Sequence, residues 1–162
     1  MGALPPRFAA DAMLGALARW LRVLGLDTAY DPGLDRGGLV ELAAGEGRTL
    51  LTRDRRLVER RRARDHLLIA SEVVDDQVRQ VLRETAAEVD PALLFSRCLR
   101  CNEPLENLAA GEAVARVPPY VARTQPSFRR CPGCGRVYWR ASHVGRMRER
   151  LHRMGVLPAA LG

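Results

Sequence analysis

Two Cys-x-x-Cys pairs constrain this chain more than any other feature. They are Cys98-Leu-Arg-Cys101 and Cys131-Pro-Gly-Cys134, and they contain all 4 cysteines of the 162 residues. A two-residue spacing lets a tight turn aim both thiolates at one ion, so two such turns supply the four tetrahedral ligands of a structural zinc site. Asn102, Gly133 and Gly135 provide residues that tolerate turn geometry. The pairs stand 29 residues apart, and the long interval costs little because loop-closure entropy grows only logarithmically. Two disulfides are the rival reading, disfavoured because Arg7 and Asp11 interrupt the apolar stretch a signal peptide needs. A redox motif is the other, disfavoured because neither pair opens a helix after a strand. The expectation is Zn²⁺ held by Cys98, Cys101, Cys131 and Cys134. Four sulfur ligands leave no open position, so this ion folds its module and performs no chemistry. No apolar run approaches the ~18 residues of a membrane span, and Pro6 stands where myristoylation wants Ser or Thr. A cytoplasmic protein without a membrane partner is expected.

The charge divides where the cysteines begin. Residues 1–95 carry 14 Arg against 15 acids, whereas residues 96–162 carry 12 Arg against 4 acids. The net charge of +7 therefore belongs to the C-terminal third. All 26 basic residues are Arg, which suits bidentate phosphate recognition and is equally a consequence of genomic base composition. A local Arg field attracts polyanions either way, so nucleic acid is the leading class of partner.

Residues 1–95 alternate short apolar runs with helical patterns. Arg7 to Ala10, Asp27 to Tyr30, Thr49 to Thr52 and His66 to Ala70 read as strands. Leu14, Leu17, Leu21 and Leu24 recur at helical spacing until Gly25, and further helices are expected over Asp35–Ala44 and Asp75–Ala87. An Arg-rich helical segment, Arg60-Arg61-Arg62 with Arg64, falls between the third and fourth strands and reads as a solvated face. Such alternation predicts an α/β fold whose parallel sheet is covered by helices on both faces, with ligands beyond the carboxyl ends of the strands. Asp11, Asp35, Asp54 and the pair Asp75 and Asp76 follow the four strands. Any one of them is readily explained as a helix N-cap. Their recurrence at one rim suggests a Mg²⁺ or Mn²⁺ site for phosphodiester cleavage, because clustered carboxylates repel unless a cation neutralises them. No P-loop, G-x-G-x-x-G or G-x-S-x-G is present.

Several segments together carry a family resemblance. They are Phe8-Ala9-Ala10-Asp11-Ala12-Met13-Leu14, Leu17-Ala18-Arg19-Trp20-Leu21-Arg22, Leu50-Leu51-Thr52-Arg53-Asp54, Ser96-Arg97-Cys98, Cys101-Asn102, and Tyr138-Trp139 near Ser142-His143. Over roughly residues 7–150 the chain resembles the PIN-like ribonuclease domain, with its zinc ribbon, found at the C-terminus of the mutator-seven exonucleases. The resemblance implies a PIN-like three-layer sandwich over residues 1–95, then a zinc ribbon with a basic C-terminal helix over residues 96–162. It also implies a metal-dependent ribonuclease in which Asp11 and Asp54 match two of the catalytic acids and Asp35 stands as the third. Glu72, Asp75 and Asp76 are all open for a fourth.

In the ribbon, Phe128, Tyr138 and Trp139 interleave with Arg129, Arg130, Arg136 and Arg140. Aromatics among arginines suit single-stranded RNA, although small zinc modules also use aromatics to close their cores. Arg19, Arg53 and Arg97, which lie in the segments carrying the resemblance, join these four as candidate RNA contacts. His143 reads as a surface or core imidazole first, and as an RNA contact or a partner of the zinc site second. Two function classes follow: a Mg²⁺- or Mn²⁺-dependent ribonuclease whose ribbon grips RNA, and a catalytically inactive nucleic-acid-binding adaptor. If Asp35 serves only as a helix cap, the adaptor gains.

Overall fold

The computed structural model describes residues 4–59 and 65–157, so the arginine run over residues 60–64 lies outside the described residues. Strands β1 (Phe8–Ala10), β2 (Thr28–Tyr30), β3 (Thr49–Thr52) and β4 (His66–Leu68) form one parallel sheet in the order β2-β1-β3-β4. Parallel pairing requires crossovers. Helix α1 (Gly15–Val23), entered through a 3-10 turn at Ala12–Leu14, joins β1 to β2, and α2 (Arg36–Glu46) joins β2 to β3. The single turn α3 (Arg55–Val58) follows β3, and α4 (Val74–Thr85) follows β4. Because β2 and β3 flank β1 on opposite sides, the strand order reverses between β1 and β3. That switch point opens a crevice at the carboxyl ends of the two strands.

Side-chain alternation along the strands builds a layer on each face. Phe8, Ala10 and Leu51 pack with Leu14, Leu17 and Leu21 beside α1 and with Val78 and Val81 of α4. Ala9 and Leu50 point the other way, into Leu39, Val40 and Ala43 of α2 and Leu57 of α3. The sheet thus lies between two helical layers, and the leucine stripe read from the sequence is wholly buried. Each such leucine contributes about 1.5–3 kcal/mol by leaving water.

The ribbon has its own antiparallel sheet, β5 (Glu106–Leu108), β6 (Phe128–Arg130) and β7 (Val137–Trp139) in that order. The interval between the cysteine pairs is structured. Helices α5 (Ala110–Ala113) and α6 (Pro119–Thr124) lie in it, and Leu108, Ala113, Val117 and Phe128 form a small core. The last helix, α7 (Ser142–Arg153), leaves the ribbon and returns to the first unit. Leu151 on the helix, Met154 at its C-cap and Leu157 beyond the left-handed turn at Gly155 bury themselves in the cluster of α1 and α4. Arg150 stacks on Trp20 with its guanidinium 5.0 Å from the ring centroid, and it pairs with Asp75 at 2.6 Å.

The junction between the units is polar and specific. Arg22 is buried; its Nε donates to the Thr28 carbonyl at 2.9 Å and its Nη1 to the carbonyls of Leu99 and Arg100, each at 3.0 Å. Asn102 accepts from the Thr28 N–H at 3.0 Å and donates to Asp27 at 2.7 Å. Asp27 also receives Arg48 at 2.6 Å and Arg7 at 3.2 Å. Burial pushes the Asp27 carboxyl up, yet its bonds from Arg48 and Asn102 outweigh burial and hold its pKa below the usual value.

A depressed carboxylate stabilises the fold fully above the unfolded pKa of about 3.9, and this contribution is lost as pH falls through the folded pKa. Asp27→Asn is therefore expected to lower the urea midpoint at about pH 7 and to flatten the acid limb of the stability profile. An unchanged acid limb would show that the bonds Asp27 makes to Arg48 and Asn102 do not stabilise the fold.

Candidate functional site

The two cysteine turns are built alike. Asn102 N–H bonds the Cys98 carbonyl and Gly135 N–H bonds the Cys131 carbonyl, each at 2.9 Å. Cys98 N–H reaches Glu103 O at 2.8 Å and Cys131 N–H reaches Arg136 O at 2.9 Å. The fifth residue of each turn is left-handed, with φ 70° at Asn102 and φ 72° at Gly135. These are residue types that adopt that conformation at low cost.

The turns bring all four Sγ atoms within 4.8 Å of one another. Sulfurs 2.3 Å from a tetrahedral zinc would stand about 3.8 Å apart. Cys98 and Cys134 are at 3.7 Å, and Cys101 and Cys131 are closer at 3.1 Å. The four thiols are free, and this soft, compact donor set can hold a zinc ion. Burial raises the Cys98 thiol, but the Tyr138 hydroxyl at 3.1 Å and the N–H groups of Cys101 and Arg100 outweigh it, and its pKa falls to about 6. Tyr138 also accepts from Leu99 N–H at 3.2 Å, so β7 is pinned to the first cysteine turn.

At the carboxyl rim, Thr52 connects two of the acids. Its hydroxyl donates to Asp11 Oδ2 at 2.7 Å and accepts from the Asp54 N–H at 3.0 Å. Asp11 caps the 3-10 turn through Met13 N–H, and Asp54 caps α3 through Arg56 N–H at 2.9 Å. Asp54 Oδ2 is buried without a hydrogen bond, although Arg36 Nη2 approaches it to 2.8 Å off the bonding direction. Asp35 caps α2, accepting from Gly38 N–H at 2.7 Å. Asp11, Asp35 and Asp54 do not share the mutual 4.8 Å proximity that the cysteines have among the described residues. Of the candidates for a fourth acid, Glu72 pairs with Arg53 at 3.0 Å, Asp75 with Arg150, and Asp76 with Arg79 and Ser71.

The seven arginines read as nucleic-acid contacts separate into three groups. Arg97 turns inward, donating to the carbonyls of Gly25 at 3.1 Å and Asn102 at 2.8 Å. Arg53 and Arg130 form ion pairs with Glu72 and Glu106. Arg19, Arg129, Arg136 and Arg140 are exposed and make no ion pair among the described residues. Arg19 and Arg136 line one cleft of about 350 Å³ between α1 and the ribbon, together with Leu99, Arg100, Val137, Tyr138, Trp139 and His143. Arg100 stands there through tertiary structure alone, whereas the sequence already offers an RNA-contact reading for His143.

The geometry thus joins a parallel α/β sheet, with acids beyond the ends of its strands, to a second, antiparallel sheet beside four clustered cysteines that can hold a zinc ion. The chain belongs to the Mut7-C RNAse domain family, whose profile matches residues 6–151. No curated protein and no solved structure matches it. None of the described helices is long and apolar enough to cross a membrane.

Proposed function

We propose that the chain is a Mg²⁺- or Mn²⁺-dependent ribonuclease with a PIN-like sheet, in which Asp11, Asp35 and Asp54 serve the metal and the zinc ribbon with its neighbouring arginines binds RNA. The observation that carries this reading is Asp54 Oδ2. This buried oxygen makes no hydrogen bond, its one cationic neighbour among the described residues is the flexible, exposed side chain of Arg36 at 2.8 Å, which a divalent ion would displace, and Asp11 lies one threonine hydroxyl away. Hard carboxylate oxygens suit both ions. When bound, the ion supplies an activated water and neutralises charge on the scissile phosphate. Thr52 orients Asp11 and the backbone of Asp54 together. Arg19, Arg129, Arg136 and Arg140 engage phosphates, with Arg53, Arg97 and Arg130 serving mainly to hold the protein surface in register.

The inactive adaptor is favoured by two observations: Asp35 is occupied as a cap, and Arg36 already lies against Asp54. Incubating the chain with a mixed single-stranded RNA pool tests the two readings. Cleavage with added Mn²⁺ and none without divalent metal is the expected result. Intact RNA under both conditions, with binding retained, selects the adaptor.

A further inference from the structure

From the cleft between α1 and the ribbon we infer a binding subsite for one unpaired nucleotide, its base on Trp139 and its phosphates on Arg19, Arg100 and Arg136. The inference rests on the ribonuclease reading for the identity of the strand as RNA. Three arginines and His143 converge there with two aromatic side chains, and no acidic residue lines the cleft. Arg19, Arg100 and Arg136 are exposed, and their guanidinium groups make no hydrogen bond or ion pair among the described residues. Elsewhere Arg7, Arg48, Arg53, Arg79, Arg97 and Arg150 are occupied by carboxylates. Like charges brought together without counter-charge repel one another, and an anionic ligand relieves that repulsion.

The aromatic partners make the ligand more than a bare phosphate. Tyr138 is held by Cys98 and Leu99, which fixes the strand that carries Trp139. Trp139 packs in part against the ribbon core and also lines the cleft. A positioned ring beside free guanidinium groups is the combination that holds single-stranded bases by stacking and phosphates by charge. The volume of about 350 Å³ is within the range of small-ligand sites.

The position fits a strand leading to the acidic rim. Arg19 lies on α1, and Asp11 immediately precedes the turn that enters that helix. Seven residues separate the two, three in the 3-10 turn and four in α1, and at about 2.0 and 1.5 Å per residue the cleft opens roughly 13 Å along the chain from Asp11. One unit alone cannot form the subsite. Arg19 comes from the sheet unit, Arg100 and Arg136 from the two cysteine turns, Trp139 from β7 and His143 from α7.

The test uses the full chain, without added divalent metal, and two fluorescent probes: an oligouridylate of about twelve residues and an abasic strand with the same phosphates. Trp139 is one of 2 tryptophans, and the other, Trp20, is 8% exposed. The expected result is quenching of tryptophan emission by the oligouridylate, abolished in Trp139→Leu, with the base-bearing probe bound at least about fivefold more tightly than the abasic one. The double variant Arg100→Ala/Arg136→Ala should weaken oligouridylate binding about tenfold or more and reduce its salt dependence. The double variant Arg116→Ala/Arg123→Ala removes equal charge from exposed positions outside the cleft and should have a much smaller effect. Equal losses in the two double variants, or equal affinity for the two probes without quenching, would overturn the subsite. Cleavage with Mn²⁺ measured on the same variants separates the two claims. RNA cut by a chain that shows no quenching leaves the nuclease reading standing and removes the subsite, while quenching without cleavage does the reverse.

Discussion

Asp11→Asn is expected to reduce RNA cleavage by about 100-fold or more, while the protein stays folded to within about 1 kcal/mol. The substitution removes one negative charge from a proposed metal ligand. It leaves the local hydrogen bonds replaceable, because an Asn can cap the turn at Met13 as the Asp does. Thr52 now donates to Asp11 and accepts from Asp54 N–H. With Asn at position 11 the hydroxyl can turn and accept from the amide, since a threonine oxygen has two lone pairs. Affinity for RNA measured without divalent metal should change little. Asp54→Asn is expected to behave alike, retaining the α3 cap while losing the charge that faces Arg36. Cleavage at the wild-type rate in either variant would remove that acid from the catalytic assignment, and a large fall in melting temperature would show a structural role instead.

Cys131→Ser is expected to lower the melting temperature of the whole chain by at least about 10 °C and to abolish stoichiometric zinc in elemental analysis. A structural zinc contributes on the order of 10 kcal/mol to the fold of small zinc modules. Two units joined only by a linker would confine the damage to the ribbon. Here Arg22 is buried and relies on the carbonyls of Leu99 and Arg100, inside the first cysteine turn, for two of its bonds. Loss of that turn leaves a buried guanidinium short of acceptors, a defect of about 3–5 kcal/mol. For a chain of this size each kcal/mol lowers the melting temperature by about 2–4 °C. Unfolding should therefore follow one transition by far-ultraviolet circular dichroism and by tryptophan emission. Two separate transitions, the upper at the wild-type temperature, would show instead that the sheet does not depend on the ribbon.

Much of the first unit was legible because its signals are local. Thr49 to Thr52 is the predicted strand, Leu14, Leu17 and Leu21 are the predicted buried stripe, and the four cysteines meet as their spacing requires. The C-terminal helix was harder to read. With Arg146, Arg148, Arg150 and Arg153 in view, α7 looks like a basic surface helix, and only the packing reveals that Leu151, with Met154 and Leu157 just beyond the helix, enters the core of α1 and α4. The arginines were hardest, because a guanidinium in a sequence is the same whether it meets solvent, a carboxylate or a carbonyl.

By itself the sequence determined the properties that depend on spacing along the chain: the parallel β-α alternation, the two cysteine turns, the buried face of α1, and the placing of Asp11 and Asp54 just beyond strand ends. Periodicity and turn geometry act over a few residues, so they can be read directly. Tertiary structure decided which polar groups are occupied. It placed Arg22 and Asn102 in the seam between the units and turned Arg97 inward. It gave Asp75 to Arg150, and it left Arg19, Arg100 and Arg136 free around one cleft. The bonded partners are up to 78 positions apart in the chain, and Arg19 and Arg136 are 117 apart. Polar specificity of that kind is a matter of which groups remain without a partner once the core has closed, and only the packed chain sets that.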